Sequence, residues 1–263
     1  MATEIAARIT RRIRQLPVLT ERTLRHPAWM FENVRMIGYR RADRRRGFDL
    51  ASYSAIVMDA ERAVCEALGV DASAYAAAKA HFRAPDAEAG PEGSSWDASN
   101  GLQSLLNVCI RLLAPDRMVE TGVARGYSTA VALMTMHDLA RGQLFSVELP
   151  RVLGDGQAAV GSVVPDALKS RWTLKLGPSR TTLPLILREA SPIDIFLHDS
   201  DHTYASQTFE YRTAWPHIRS GGLLLSDDVA NPALMDFARE VGVQPRLIGE
   251  VAHGAAIGML DKP

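Results

Sequence analysis

From Arg117 onward the sequence alternates short apolar runs with longer stretches of helical periodicity, and this alternation restricts the chain to one broad architecture. The strand-like runs are Met118 to Thr121, Leu144 to Val147, Trp172 to Leu176, Ile193 to Leu197 and Gly222 to Ser226. Helical stretches lie between them near Tyr127 to Leu139, Val164 to Ser170, Thr181 to Glu189 and Ser206 to His217. Strands this apolar, spaced by helices, need cover on both faces, which predicts an α/β fold with a doubly wound parallel sheet. The tail adds a helix at Pro232 to Val241, then two runs, Arg246 to Val251 and Ala255 to Leu260, expected to pair as a terminal antiparallel couple. Upstream, Asp49 to Val70, Ala72 to Phe82 and Asn100 to Leu113 read as helices. The loop from Ala84 to Ser95, with Pro85, Gly90, Pro91 and Gly93, divides an N-terminal α-helical cap (residues 1–95) from the main domain (96–263).

Charge separates the same two parts. The chain as a whole is neutral, yet residues 1–50 hold 12 arginines against 5 acids, a net +7, and the remainder is net −7. Ile5, Ile9, Ile13 and Leu16 recur at helical spacing beside Arg8, Arg11, Arg12 and Arg14. This basic amphipathic pattern suits either peripheral contact with anionic lipid or docking back onto the chain. The acidic main domain shows no basic track with stacking aromatics, which argues against nucleic acid as a partner. No apolar run reaches the about 20 residues of a membrane span. Cys65 and Cys109 lack C-x-x-C spacing, so neither a disulfide framework nor a cysteine zinc site is expected, and a cytoplasmic location is the default.

In a doubly wound sheet, ligands bind at the carboxyl ends of the strands. The first of these ends is Glu120-Thr121-Gly122-Val123-Ala124-Arg125-Gly126-Tyr127-Ser128. Gly122 permits a tight turn, Gly126 a close backbone approach, and the helix that starts there offers free N–H groups to an anion. Glu148 ends the second strand, where a carboxylate can accept both hydroxyls of a ribose. The glycine order differs from the Gly-x-Gly-x-x-Gly of nicotinamide dinucleotide proteins, and the preceding acid, Glu120, suits a ligand carrying an ammonium group. Further along, Asp199 follows the fourth strand and Asp227 with Asp228 follow the fifth. Carboxylates gathered in this way repel unless protons or a cation intervene, and a hard divalent ion such as Mg²⁺ answers that repulsion.

These stations in order make residues 98 to 260 resemble the class I S-adenosylmethionine-dependent O-methyltransferases, in particular the metal-dependent cephalosporin-hydroxylase-like and macrolide-sugar group, and more distantly catechol O-methyltransferase. The resemblance implies that Glu120, Gly122, Gly126 and Ser128 hold the methionine part of the cofactor, that Glu148 binds the ribose, and that Ser179 in Gly177-Pro178-Ser179 lies at the adenine side, with Asp199 also close to the cofactor. It implies a metal site of Asp199, Asp227 and Asp228. The sugar-methylating members place a general base three residues beyond the first metal acid, where this chain has His202; Asp201 either orients that histidine or serves as base. A near-neutral imidazole suits the role. His198 is expected to be a packed neighbour. The implied reaction is metal-assisted O-methylation of a small hydroxylated acceptor, a sugar or glycosylated metabolite with a vicinal diol being favoured, in a homo-oligomeric enzyme whose acceptor pocket draws on Trp29, Phe31, Tyr39, Phe48, Tyr53 and Trp96. The alternatives are a cofactor-binding or membrane-recruited scaffold without catalysis and an NAD-dependent oxidoreductase.

Overall fold

The computed structural model describes residues 27–43, 47–85, 98–149, 160–249 and 256–263. The arginine-bearing repeat of residues 5–16 and Trp96 lie outside them. The chain contributes helix α1 (Pro27–Asp43), strand β1 (Val57–Met58), helices α2 (Ala60–Leu68), α3 (Ala72–Ala80) and α4 (Asn100–Leu113), then β2 (Arg117–Thr121), α5 (Tyr127–Asp138), β3 (Gln143–Glu148), β4 (Trp172–Leu176), α6 (Ser179–Ala190), β5 (Ile193–His198), α7 (Tyr204–Ala214), β6 (Ile218–Ser226), α8 (Ala233–Val241), β7 (Arg246–Ile248) and β8 (Ile257–Asp261). Short 3₁₀ turns occupy Leu50–Ile56, Asp166–Arg171 and Trp215–His217.

All eight strands form one sheet in the order β1-β7-β8-β6-β5-β2-β3-β4. Strands β2 to β6 run parallel, and β8 is antiparallel to both β6 and β7. This is the doubly wound sheet with a terminal antiparallel pair that the apolar runs predict. Each central strand divides its side chains between two cores. Met118, Leu144, Ile195, Leu197, Leu223 and Leu225 pack with α2, α3, α4 and α5, whereas Val119, Phe145, Phe196 and Leu224 pack with α6, α7 and α8. Burial on both faces is why these strands read as unbroken apolar runs.

Two helix expectations change. The single helix expected over Asp49 to Val70 is divided: Val57 and Met58 pair with Leu247 and Ile248, and Asp59 starts α2 by accepting the Arg62 N–H at 2.8 Å. A β-branched residue offered an open strand edge, followed by an N-capping aspartate, outweighs helical spacing there. The stretch Val164 to Ser170, expected as a helix, holds only the 3₁₀ turn of Asp166–Arg171. In addition, β1, α2 and α3 belong to the sheet and its core, with Ala63, Val64, Tyr75 and Ala78 buried there. No helix among the described residues is long and apolar enough to cross a membrane.

The register aligns the strand ends. Thr121 pairs with His198, and His198 with Ser226, so the next residues, Gly122, Asp199 and Asp227, follow in a row. Backbone bonds extend it: Asp199 N–H donates to the Thr121 carbonyl and Asp227 N–H to that of His198, both at 2.9 Å. On the other side Gly122 N–H donates to the Val147 carbonyl at 2.9 Å, which brings Glu148 alongside. The chain reverses direction between β2 and β5, the switch point at which open α/β sheets bind ligands.

Candidate active site

The glycine turn after β2 is shaped by its neighbours. Gly122 has φ +86°, and a Cβ on it would lie 1.9 Å from the Asp199 carbonyl oxygen. Only glycine lets the ends of β2 and β5 meet there. Gly126 has φ +95°, and a Cβ would meet Gly161 and Val164 at 2.9 to 3.0 Å, so the backbone that approaches it closely belongs to the 161–164 turn. Glu148 reaches across from β3, and one carboxylate oxygen accepts the N–H groups of Val123 and Ala124 at 2.5 and 2.9 Å. Glu148 and the glycine turn thus share one small space.

Glu120, two residues before that turn on β2, is fully buried. Its carboxylate accepts hydrogen bonds from Thr129 (2.6 Å), Ser146 (2.7 Å) and, longer, Ser128 (3.4 Å). Burial pushes its pKa up to about 7, the Asp199 charge adds to the rise, and the hydroxyl donors oppose it. Ser128 is therefore bonded to Glu120 at the start of α5.

Beyond β5, Asp199, His202 and Asp227 bring one donor atom each to within 4.8 Å of one another. His202 lies between carboxylates: Nδ1 is 3.2 Å from Asp228 and Nε2 is 3.7 Å from Asp199. Nε2 is buried and has no hydrogen-bond partner. Asn231 fixes the His202 carbonyl at 2.8 Å and is itself held by Gln207 at 2.7 Å. Burial raises the pKa of Asp227 to about 7, with Asp199 and Asp228 adding to the rise. Burial likewise raises Asp199, against the pull of His202. For His202, burial lowers the pKa, but the two flanking carboxylates outweigh it and hold the imidazole protonated up to about 10. The near-neutral histidine expected from the sequence is thus replaced by an imidazolium, because it is bracketed by Asp199 and Asp228.

The remaining predicted residues are distributed as follows. Asp228 has φ +45° and a side chain 53% exposed; its partner is His202, and the three-residue cluster contains His202 in its place. Asp201 accepts from Arg40 at 3.0 and 3.2 Å, from Thr203 at 2.7 Å and from Ser206 at 3.0 Å, so its carboxylate is taken up by α1 and the start of α7, while Asp199 and Asp228 orient the histidine. Ser179 opens α6, and its hydroxyl helps lower the pKa of Glu210. His198 is fully buried, with Nδ1 2.7 Å from Glu210.

Glu210 was not among the residues singled out from the sequence. From α7 it accepts from Thr121 at 2.5 Å and Ser200 at 2.9 Å as well as pairing with His198, tying together the ends of β2 and β5. Burial raises its pKa, but His198 and the hydroxyl donors outweigh that and keep it low. The signal was available: Gln207, Glu210, Tyr211 and Ala214 share the buried face of α7, and an acid on such a face needs a partner. Helix α1 overhangs this side. Arg180 bonds the Tyr39 hydroxyl at 3.1 Å and stacks 4.6 Å from the Phe209 ring centre, Asp43 accepts the Tyr204 N–H at 2.8 Å, and Trp29 Nε1 lies 3.8 Å from where a Gly177 Cβ would stand.

Residues 119–229, from β2 through the turn after β6, match the family model of a methyltransferase domain. This stretch is thus similar to a methyltransferase domain. In fold the chain is similar to a putative O-methyltransferase from Klebsiella pneumoniae, with 18% identity and a TM-score of 0.52 over 76% of this chain and 89% of that one. It is also similar to the O-methyltransferase from Bacillus cereus solved in complex with SAH (15% identity, TM-score 0.51, 77% and 96% covered). A third is TomG, an O-methyltransferase of Streptomyces achromogenes involved in tomaymycin synthesis and solved with SAM (16% identity, TM-score 0.51, 82% and 96% covered). Among curated proteins none matches significantly in sequence. The matched span holds the whole row of strand ends, Glu120 through Asp228, whereas α1 and Arg40 reach it from outside that span.

The donor set also fits the groups that the resemblance implies. The carboxylates of Asp199 and Asp227 form an oxygen pair that a divalent cation would satisfy, and the His202 Nε2 beside them, with no hydrogen-bond partner, is left for another role. Glu120, buried with only neutral donors around it, fits an ammonium group.

Proposed function

We propose that this chain is an S-adenosylmethionine-dependent, metal-assisted O-methyltransferase acting on a small hydroxylated acceptor, with sugar or glycosylated-metabolite diols as the favoured class. The observation that carries the reading is the meeting of Asp199, His202 and Asp227 at the ends of β5 and β6, beside the glycine turn of β2. The SAH and SAM bound by the Bacillus cereus protein and TomG support the choice of cofactor. When bound, the cofactor supplies a methyl group on a positively charged sulfur, and Mg²⁺ or another divalent ion supplies charge that lowers the pKa of a coordinated hydroxyl.

The chain's own residues divide the remaining work. Glu120, with Ser128 nearby, receives the amino group of the methionine part; Glu148, at the mouth of the same turn, receives the ribose hydroxyls. Asp199 and Asp227 hold the cation. His202 takes the acceptor's proton at Nε2, which faces the same space as both carboxylates, while Asp228 holds Nδ1 and so fixes the ring. Asp199 is one of the two partners that keep His202 protonated, so its engagement elsewhere moves the imidazole toward the neutral form a base requires. Arg40, by occupying Asp201, keeps that carboxylate from competing for the ring. Fixing both reactants at one strand end supplies the alignment on which methyl transfer depends.

The test is transfer of a labelled methyl group to a panel of sugar diols and catechols, with Mg²⁺ present or chelated. Label on a sugar hydroxyl, lost on chelation, is expected. Transfer undiminished by chelation removes the metal's role, and transfer to catechols alone removes the sugar preference.

A further inference from the structure

Helix α1 turns its acids toward the protein and leaves a stripe of apolar residues outside, while Trp29, Met30 and Met36 are half-buried. Its two acids are both held by protein groups, Glu32 buried with Arg35 3.0 Å and Arg180 3.7 Å away, and Asp43 on the Tyr204 N–H. Tyr39 and Arg40 also point inward, to Arg180 and Asp201. Outward stand Phe31, 73% exposed and so not the pocket-lining residue expected from the sequence, Val34, 58%, and Ile37, 51%, three residues apart and therefore on one stripe, flanked by exposed Arg41 and by Arg35, whose guanidinium pairs with Glu32. In the sequence Arg22 and Arg25 precede the helix and Arg44, Arg45 and Arg46 follow it.

We propose that this outer face of α1 docks the enzyme on an anionic lipid surface. An exposed apolar stripe on a helix whose acids are internally consumed leaves only apolar and cationic groups for a partner, which is the complement of acyl chains beneath anionic headgroups. A second copy of the chain is the poorer occupant, because a self-complementary contact would set two arginine-flanked faces against each other. The basic repeat of Ile5, Ile9, Ile13 and Leu16 provides a second segment of the same chemistry, and peripheral binding becomes stable when two weak signals combine. Docking there orients the row of strand ends toward the bilayer, since Arg40 on the inner side of α1 bonds Asp201, next to His202. The proposal stands independently of the reaction assigned above.

The experiment is sedimentation of the full chain with vesicles of phosphatidylcholine alone or with phosphatidylglycerol, at low and raised salt, beside light scattering of the free protein. Binding is expected only to the anionic vesicles and is expected to weaken with salt. Arg41→Gln and Val34→Ser should each weaken it about fivefold, and Phe31→Ser about tenfold, with unchanged thermal unfolding and unchanged SAH affinity. No binding to anionic vesicles overturns the proposal. Binding that the three variants leave untouched removes α1 as the docking face, and a dimer that Phe31→Ser dissociates, without vesicle binding, assigns the stripe to a second copy instead.

Discussion

Two groups of carboxylates stand at the same edge of the sheet, and they are satisfied differently. At the β2–β3 end, Glu120 and Glu148 are bonded by hydroxyls and backbone N–H groups of the protein itself. At the β5–β6 end, Asp199, Asp227 and Asp228 have mainly one another and a single imidazole, whose Nε2 lacks a hydrogen-bond partner. Neutral donors leave Glu120 poised near neutrality for an organic cation, whereas crowded carboxylates call for a compact, doubly charged one. In the function proposed above, one sheet edge would separate recognition of the cofactor from activation of the acceptor, with Gly122 as the hinge between them.

The largest effect should follow from removing that hinge. Gly122→Ala places a methyl group against the Asp199 carbonyl in a left-handed conformation, and should destabilise the fold by about 3 to 5 kcal/mol through overpacking and backbone strain. A thermal melt within a degree of wild type would show that the two ends are not coupled there. Next, Asp227→Ala should reduce Mg²⁺-dependent turnover at least about 100-fold while leaving SAH affinity nearly unchanged. Loss of both together would erase the distinction between the two ends. Glu148→Gln should do the reverse, weakening SAH binding about tenfold or more with little effect on the metal.

A subtler contrast is available in pH. Because the folded-state pKa of Glu120 is raised from 4.5 to about 7, the folded chain binds a proton more tightly than the unfolded chain, and this contribution to stability is present at low pH and lost as pH rises from about 4.5 to 7. Relative to Glu120→Gln, wild type should lose up to about 3 kcal/mol across that interval, as read from denaturant melts at successive pH values. Parallel stability curves for the two proteins would show that the hydroxyl donors fully offset burial.

Much of this edge was legible in the sequence because it follows from strand register. Once apolar runs fix β2, β3, β5 and β6, the residues just beyond them fall into a row, and Glu148, Asp199 and Asp227 take their places. What the sequence conceals is which way each side chain turns. Asp201 and Asp228 sit one residue from cluster members, yet one is drawn off by Arg40, a contact spanning 161 positions, and the other by an αL backbone. For Glu210 the buried face of α7 signals that a partner is needed, but not that the partners are Thr121 of β2 and His198 of β5. The division of Asp49 to Val70 likewise depends on a strand edge supplied by β7, nearly 200 residues away.

The most direct test of the two-ended edge is calorimetric titration of the full chain with S-adenosylhomocysteine, with Mg²⁺ and after chelation, in wild type and Asp227→Ala. The account predicts SAH binding in both proteins and under both conditions, with a separate Mg²⁺ heat that the substitution abolishes. Absence of SAH binding under every condition would contradict it.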